Sequence, residues 1–579
     1  MTEIYDLVVR GGTIADGSGN EPFTGDVAIK DGRIAVVGTV EGRGVEEIDA
    51  AGLLVTPGFV DIHTHYDGQV TWEETLTPSS GHGVTTAVMG NCGIGFAPCR
   101  PGDREQLVHL MEGVEDLPEP VLTAGLPWRW ESFPDYLDFL EGRQFDIDVA
   151  AQLPHAALRV YAMGERAVRR EPATAEDRKL MAQLTKEAMD VGAIGFATSR
   201  TINHRSSDGT HIPTLEAGEE ELATIAEAVA ASGHGVLQLV SDLDDVESEL
   251  TMIRRIVERS GRPLSLSLMQ WHHSPEKWRT VLRWLESCRA DGLPIKGQVN
   301  GRPVGMLLGF EMGMNPFSFT PSFKRLAKLA PVERYRALAE PATRAAIISE
   351  TPDPSDHVAA NYIRGFSDMY ALGASPDYEP DVDDSMAARA ARRGTTPEAE
   401  AYDAMLEQNG QGVLMLPSVN FAYGNLEPSR EMLSHADTVY GLGDGGAHLG
   451  FLCDASLPTF MLQYWVRDRQ KGPRLGLAEV VRGLTSDPAS AVGLSDRGRI
   501  APGLKADLNI IDFDRLKLLS PRVSHDLPAG GRRVTQDAEG YVATLVSGVM
   551  IRQNDRPTNA RPGKLVRGSA RRLSQGASS

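Results

Sequence analysis

The stretch GFVDIHTHYD, residues 58–67, places His63 and His65 one residue apart at the end of an apolar run. Residues i and i+2 of a β-strand point to the same face, so both imidazoles are able to reach one ion. The flanking sequence LLVTPGFVDI is typical of a buried strand, and α/β barrels build active sites where buried strands end. We therefore predict a metal site here, with Asp61 and Asp67 orienting the imidazoles. The alternative is a pair of surface histidines near a turn.

Apolar strand candidates alternate with helical patterns through the middle of the chain, which predicts a parallel sheet covered by helices. The later strand candidates are VTTAVMG, DIDVAAQLP, GAIGFAT, HGVLQLV, PLSLSLM, PIKGQVN, GVLMLPS and VYGLGD. The intervening amphipathic helices are ESFPDYLDFLEG, TAEDRKLMAQLTKEAMDVG and EELATIAEAVAASG. Short β-runs separated by Gly and Asp turns occupy residues 1 to about 56 and return after about residue 498.

We predict an α/β fold in which a TIM (β/α)8 barrel at residues 57–497 carries a small β-sandwich domain built from residues 1–56 and 498–567. Residues 303–412 are too many for one barrel connection, so we predict an insertion. It forms either a lid over the site or a solvated excursion. Residues 568–579 are predicted to be a disordered tail.

Three stretches resemble the amidohydrolase superfamily of metal-dependent hydrolases. PGFVDIHTH resembles its first-strand metal motif, and the opening YDLVVRGGTIADGSGNEPFTGDVAIKDGRIAVVG and closing LTSDPASAVGLSDRGRIAPGLKADLNIIDFD resemble its terminal segments. HGVTTAVMGNCGIGFAP at 82–98 and GAIGFATS at 192–199 are similar to its N-acyl-D-amino-acid deacylase (D-aminoacylase) branch. The resemblance implies hydrolysis of a C–N amide bond in N-acyl-D-amino acids or small peptide-like amides.

The composition excludes several classes of partner. The formal net charge of −21 argues against a nucleic-acid groove or an anionic membrane surface. Four cysteines in 579 residues form no disulfide framework, and the opening MTEIYDLVVRGG has no signal-peptide pattern. We expect a cytoplasmic enzyme that acts on a small molecule, and the sequence leaves a homo-oligomer open.

Two further residues are candidates for the metal site. Cys92 in GNCGIG follows a second strand, and its thiolate would bind zinc beside the two histidines; a small buried hydrophobe is the alternative. Asp444 in YGLGDGGAHLG follows the last strand, and the resemblance implies that it touches the metal and serves as general base. A plain Asp-Gly turn is the alternative. His448 would either stabilise an oxyanion or cap a helix.

The sequence departs from the family where histidine ligands are expected on the fifth and sixth strands. The fifth strand ends with Gln238 and Ser241, and His234 precedes it. The sixth has His272 and His273 only beyond its end. No lysine follows the fourth strand to bridge two metals. We therefore predict a single zinc ion held by His63, His65, Cys92 and Asp444 in some combination, with His272 or His273 as further candidates and a second ion in doubt.

Substrate contacts are predicted on loops that follow the third, fourth, sixth and last strands. An arginine there is able to grip a carboxylate in bidentate fashion, although a solvated loop with scattered charges is the alternative. The predicted substrate-binding residues are His155, with Arg159 as its partner, and Ser199, Arg200, His204, His273 and His448.

Two other functions compete with amino-acid deacylation. One is hydrolysis of a cyclic amide or another acylated amine. The other is a non-catalytic barrel that lost part of its metal site, which the missing fifth-strand histidine would permit. Retention of His63, His65 and Asp444 together argues against this loss.

Overall fold

The computed structural model describes residues 3–352 and 362–568. Its centre is an eight-stranded parallel sheet in which each strand pairs with the next along the chain. Helices connect most of these strands, as expected for a barrel. In order, the barrel strands are Phe59–Asp61, Val84–Met89, Asp148–Pro154, Gly195–Arg200, Val236–Ser241, Leu264–Ser267, Ile295–Val299 and Thr438–Tyr440.

The first and last barrel strands meet just beyond their carboxyl ends. The backbone N–H of Asp444 donates to His63 O at 2.9 Å, and the N–H of His65 donates to Gly445 O at 2.7 Å. These two bonds join the open edges of the sheet. The predicted α/β barrel fold is confirmed. His63 and His65, the metal-site candidates of the first strand, lie where the first and last strands meet.

A nine-stranded sheet takes five strands from before the barrel and four from after it. Leu54–Pro57 lies between Ile4–Ile14 and Leu508–Ile511, so segments from the two halves pair directly. Gly58 then carries the chain into the barrel, where a Cβ would lie 2.1 Å from Thr85 Oγ1. The remaining strands of this sheet are Phe23–Lys30, Arg33–Gly38, Arg43–Asp49, Tyr541–Val546, Val549–Gln553 and Arg556–Pro557.

The three helices predicted between strands are present. They are Phe133–Glu141, Ala175–Asp190 and Glu219–Ala231, and the first two begin with capping boxes at Ser132 and Thr174. The other α-helices that lie wholly within residues 3–352 and 362–568 are Arg104–Glu115, Glu119–Gly125, His155–Met163, Glu165–Val168, Val246–Ser260, Lys277–Ala290, Pro321–Leu326, Pro331–Leu338, Pro341–Ser349, Met386–Arg393, Pro397–Gly410, Glu427–Leu433, Leu457–Phe460, Leu477–Leu484 and Ser486–Ala491. A π-helix spans Met461–Asp468.

A separate three-stranded sheet follows the seventh barrel strand. Val304–Leu308 and Tyr370–Ala371 both pair antiparallel with Leu414–Val419. The stretch GVLMLPS, which we predicted as a barrel strand, therefore belongs to this inserted sheet. A buried run with no alternation fits either position, since both faces of the strand are covered. The insert has its own apolar cluster, and the N–H of Leu307 donates to Phe451 O near the metal-site loop.

A buried ionic network connects the barrel with the small sheet. Asp148, at the start of the third barrel strand, accepts from Arg497 Nη1 at 2.5 Å and lies 3.0 Å from Lys505 Nζ. Lys505 also pairs with Asp507 at 2.6 Å. Arg497 and Asp148 are both almost fully buried, so each depends on the other for compensation of its charge.

The domain boundaries at residues 56, 57, 497 and 498 stay predictions. Of the predicted tail, residues 569–579 lie outside the described part of the chain, and the N–H of Gly568 donates to Gly192 O at 2.9 Å. Within residues 3–352 and 362–568, no helix has both the length and the apolar character needed to span a bilayer.

Candidate metal centre

His63 and His65 project from the end of the first barrel strand into a buried space. Their exposed fractions are 1% and 2%, and their ring centroids lie 5.4 Å apart. Burial lowers the pKa of both imidazoles, to about 4 for His65. Both rings are therefore neutral at pH 7, and each retains a nitrogen lone pair for an ion.

Gln298 fixes the orientation of the His63 ring. Its Oε1 lies 2.8 Å from His63 Nδ1, and its Nε2 donates to Ser265 Oγ at 2.8 Å. Because an amide oxygen only accepts, His63 Nδ1 must carry the proton. The lone pair of His63 is thus on Nε2, which lies 3.3 Å from Cys92 Sγ.

Cys92 lies in a short turn, Asn91–Gly93, directly after the second barrel strand. Its backbone N–H donates to Gln238 Oε1 at 3.0 Å, which ties the turn to the fifth strand. The carboxyl ends of parallel strands share one edge of the barrel, so Cys92 and His63 meet although 29 residues separate them.

Asp444 faces both histidines from the loop after the eighth strand. Its Oδ1 lies 3.5 Å from Nε2 of His63 and 3.5 Å from Nε2 of His65. Burial opposes ionisation, but the hydrogen bond with His65 and the neighbouring histidines outweigh it and hold the pKa of Asp444 below its usual range. Asp444 is therefore a carboxylate at neutral pH, and it retains some solvent access.

Glu115, the last residue of helix Arg104–Glu115, approaches the other side of the site. Its Oε1 lies 3.2 Å from His65 Nδ1, and its Oε2 lies 3.8 Å from His448 Nε2. Burial, followed by the charge of Asp444, raises the pKa of Glu115 well above its usual range. Glu115 thus contacts the nitrogen of His65 that faces away from Asp444.

Three residues of the site have left-handed backbone conformations. The φ angles are +55° for Cys92, +46° for Asp444 and +50° for His448. A hydrogen bond holds each backbone N–H: Cys92 donates to Gln238 Oε1, Asp444 donates to His63 O, and His448 donates to Glu115 O at 2.5 Å. Such conformations cost about 1 kcal/mol or more each in non-glycine residues, so the surrounding hydrogen bonds must hold them.

The donor set fits a zinc ion. One ring nitrogen of His63, one of His65 and Cys92 Sγ all lie within 4.8 Å of one another. Burial and the carboxylates of Glu115 and Asp444 raise the pKa of the Cys92 thiol well above its usual range. A thiolate at this position therefore needs a bound cation to be stable, and neutral imidazoles with a thiolate are ligands that zinc prefers.

The fifth and sixth strands supply no imidazole to this group. Gln238 occupies the position next to Cys92, and its Nε2 has no partner among the described residues. His234 precedes the fifth strand and lies at its opposite end. His272 is half-buried, and His273 is exposed and packs against Trp271 at 5.7 Å between ring centroids.

His155 and Arg200, both predicted substrate contacts, are engaged within the protein. His155 is fully buried, with Nδ1 2.8 Å from Thr198 Oγ1 and Nε2 2.9 Å from Glu221 Oε1. Its predicted partner Arg159 donates to the same Glu221 oxygen at 2.8 Å. Arg200 Nε and Nη2 donate to the two carboxylate oxygens of Glu249 at 3.2 and 2.8 Å.

His204 and His448 lie closer to the metal centre. His204 Nδ1 is 2.9 Å from the buried Ser199 Oγ. Burial, followed by His448 and His65 nearby, lowers the pKa of His204 to about 3. Of the predicted substrate-binding residues, His204 and His448 therefore lie near the metal centre and Ser199 contacts His204, whereas His155 and Arg200 bond within the protein.

Two contacts of the imidazoles escaped the sequence interpretation. Gln298 and Glu115 are the residues that approach the rings. Asp61 and Asp67, which we predicted in this role, bond to the backbone instead: Asp61 accepts the N–H of His63 and Asp67 that of Gly90, both at 3.0 Å. Gln298 lies near the end of the stretch PIKGQVN, at the same edge as the histidines, and strand alternation places its side chain on the inner face. Glu115 is the last residue of an amphipathic helix, and no pattern in the sequence indicates that it approaches His65.

This chain is similar to known proteins in sequence and in fold. A family model described as amidohydrolase family matches residues 46–552. A D-aminoacylase of Alcaligenes xylosoxydans xylosoxydans is 31% identical over 270 residues, 46% of this chain and 50% of that enzyme, so the chain spans about half the length of this relative. An N-acyl-D-glutamate deacylase of the same organism is 26% identical over 585 residues, 98% of each chain.

A solved structure of N-acyl-D-glutamate deacylase from Bordetella bronchiseptica, complexed with zinc and a phosphonate inhibitor, has a TM-score of 0.62. It is 22% identical and covers 98% of this chain and 100% of its own. At 22% identity, this similarity is evidence for the fold alone.

Proposed function

The chain belongs to the amidohydrolase family, and from this premise we propose that it hydrolyses the C–N amide bond of N-acyl amino acids, with preference for the D-configuration. The observation that carries the proposal is the convergence of His63, His65 and Cys92 on one buried point faced by Asp444. The relatives named D-aminoacylase and N-acyl-D-glutamate deacylase support the substrate class.

We propose one zinc ion, held by His63, His65, Cys92 and Asp444 in a combination that leaves one position open. A single catalytic zinc needs about three protein ligands and one open position. Gln238 stands at the fifth strand in place of an imidazole, and its amide oxygen is already used by the N–H of Cys92. The donors on this chain therefore suffice for one ion.

The bound ion would polarise the amide carbonyl and lower the pKa of a water molecule, which is the chemistry that zinc supplies in hydrolases. Asp444 accepts a proton from the attacking water and returns it to the leaving nitrogen. Its low pKa keeps it ionised for the first transfer, and its partial exposure leaves it accessible to the substrate.

The neighbouring residues orient this machinery. Gln298 holds His63 with Nε2 directed at Cys92 and Asp444, and Glu115 lies against Nδ1 of His65. His448 borders the site on a loop anchored by Glu115, so it is suited to donate a hydrogen bond to the substrate oxygen. His204, which is hydrogen-bonded to Ser199, lies near His448 and His65, and we propose that His204 and Ser199 contact the substrate.

The test combines metal content with turnover. Purified protein is analysed for metals and assayed on matched pairs of N-acyl-D- and N-acyl-L-amino acids. We expect about one zinc per chain and faster turnover of the D-substrates. His63→Ala with His65→Ala should lose both metal and activity, whereas the exposed His525→Ala should keep both.

Two outcomes would contradict the proposal. Equal metal content in the wild type and the double variant would refute the ligand assignment. Turnover of neither enantiomer by zinc-loaded protein would refute the substrate class.

A further inference from the structure

The loop of residues 448–451 lies near the metal centre, and its first residue is His448. Helix Arg104–Glu115 accepts the N–H of His448 through its last carbonyl, at 2.5 Å. From another direction, the insertion donates the N–H of Gly313 to Gly450 O at 3.0 Å. The backbone of this loop is therefore held between a helix of the barrel and the insertion.

Asp116, the residue after this helix, contacts the same loop with its side chain. Its Oδ2 accepts the N–H of Gly450 at 2.7 Å. A Cβ on Gly450 would lie 2.4 Å from this oxygen, so the absence of a side chain at Gly450 permits the contact. The carbonyl of Glu115 and the carboxylate of Asp116 thus bind two N–H groups of one turn, those of His448 and Gly450.

The conformation of His448 depends on the bonds that hold this turn. Its φ angle is +50°, in the left-handed region that a non-glycine residue adopts only where its surroundings hold it. The N–H groups of Phe451 and Leu452 both donate to His448 O at 3.0 Å and complete the turn. The imidazole has Nε2 3.8 Å from Glu115 Oε2, and 29% of the side chain is exposed. A change in the turn would therefore move the ring relative to the metal centre.

A purely structural role for Asp116 makes a different prediction. Its own φ angle is +55°, and it ends helix Arg104–Glu115 in the conformation that glycine most often supplies at such positions. If Asp116 served only to end the helix, glycine would replace it without loss. The hydrogen bond to Gly450 is the contact that glycine would remove.

We propose that Asp116 is a positioning residue for His448: it holds Gly450 and thereby fixes the turn that presents the imidazole to the substrate. The inference rests on the proposed function, in which His448 donates a hydrogen bond to the substrate oxygen. Removal of one such donor typically lowers kcat about 10²- to 10³-fold. Misplacement of the donor should forfeit part of this factor, because catalytic contacts depend on position at the scale of about 1 Å.

The first test compares Asp116→Gly with Asp116→Asn in the zinc-loaded, full-length protein, assayed on N-acetyl-D-leucine and N-acetyl-D-glutamate. Glycine suits the left-handed conformation but removes the acceptor, whereas asparagine tolerates this conformation and keeps an acceptor oxygen. We expect Asp116→Gly to lower kcat about 10- to 100-fold with KM changed less than about threefold, and Asp116→Asn to stay within about threefold of the wild type. Asp31→Gly makes the same exchange at an exposed aspartate with φ +52°, in a turn of the nine-stranded sheet, and should keep wild-type kcat.

A double-variant cycle shows whether Asp116 acts through His448. If it does, His448→Ala with Asp116→Gly should lose no more kcat than His448→Ala alone, within about twofold. Losses that multiply in the double variant would show that Asp116 acts elsewhere, and they overturn the proposal. Wild-type kcat in Asp116→Gly, or in His448→Ala, also overturns it.

A spectroscopic measurement separates this inference from the proposed function. In zinc-loaded protein with isotope-labelled histidine, the nuclear magnetic resonance signal of the His448 ring is the one that His448→Ala removes. We expect this signal to shift in Asp116→Gly and to keep its wild-type position in Asp116→Asn and Asp31→Gly. If neither substrate is turned over, the proposed function fails, and a shifted signal still shows that Asp116 positions the ring. An unchanged signal in Asp116→Gly overturns the positioning role in either case.

Discussion

The contact between Gln298 and His63 predicts a measurable dependence of zinc affinity on a residue that does not bind the ion. Gln298→Leu keeps the volume of the side chain but removes the acceptor of the His63 Nδ1 proton and the donor to Ser265, both at 2.8 Å. Gln298 is 2% exposed, so water cannot readily replace these bonds.

Two free-energy terms follow from this geometry. A buried Nδ1–H left without an acceptor costs about 1–3 kcal/mol of folding stability. Loss of a partner that orients a metal-binding histidine typically lowers metal affinity about 10- to 100-fold, or about 1.4–2.7 kcal/mol. The effect arises because His63 becomes free to rotate and to place its proton on Nε2.

The assay is competition for zinc with a chromophoric chelator at constant pH, combined with urea unfolding of the metal-free protein. The matched control is Gln183→Leu, which removes an exposed glutamine bonded to Glu187 at 2.9 Å. Zinc affinity of Gln298→Leu equal to that of Gln183→Leu would refute the orienting role.

Three further predictions concern catalysis, stability and pH. Asp444→Asn should lower turnover about 10²- to 10⁴-fold with zinc still bound, because the shape is kept and the proton acceptor is lost. Arg497→Ala should lower the free energy of urea unfolding by about 3 kcal/mol, since it leaves the buried Asp148 with Lys505, at 3.0 Å, as its remaining cation among the described residues. Burial lowers the pKa of His82 from 6.5 to about 4, so between these pH values the unfolded chain binds a proton that the folded chain does not. The stability contributed by neutral His82 is therefore present above pH 6.5 and is lost on acidification, by about 3 kcal/mol at pH 4. His82→Gln should make the free energy of unfolding depend less steeply on pH over this range.

Each of these predictions has a control. Exposed Asp514→Asn should keep full turnover, and wild-type activity in zinc-loaded Asp444→Asn would exclude the proton-transfer role. Arg515→Ala, an exposed arginine 4.0 Å from Asp512, should change stability by less than about 0.5 kcal/mol. Identical pH slopes in the wild type and His82→Gln would show that His82 is not the titrating group.

Strand alternation and barrel geometry made the centre of the site predictable. His63 and His65 share a face because they are two residues apart, and Cys92 and Asp444 join them because parallel strands end at one edge. The same reasoning could have reached Gln298, which lies one residue before the end of the seventh strand.

Other features depend on packing that a sequence pattern does not encode. Arg200 resembles a free loop cation, yet its Nε and Nη2 donate to the two carboxylate oxygens of Glu249 and its Nη1 donates to Ala217 O. Glu115 reaches His65 only because its helix ends beside the loop of His448. Leu414–Val419 has the apolar run of a barrel strand, and its antiparallel pairing with Val304–Leu308 and Tyr370–Ala371 assigns it to the insert.

The position of Leu54–Pro57 between Ile4–Ile14 and Leu508–Ile511 sets an order for biosynthesis. About 450 residues separate this strand from its second partner. A ribosome adding about 5–20 residues per second needs roughly 20 to 90 s to make them. Throughout that interval the growing chain carries an unsatisfied strand edge, the kind of surface that recruits other chains into aggregates. Production of this protein should therefore respond to chaperone supply and to translation speed more than the stability of the finished molecule would suggest.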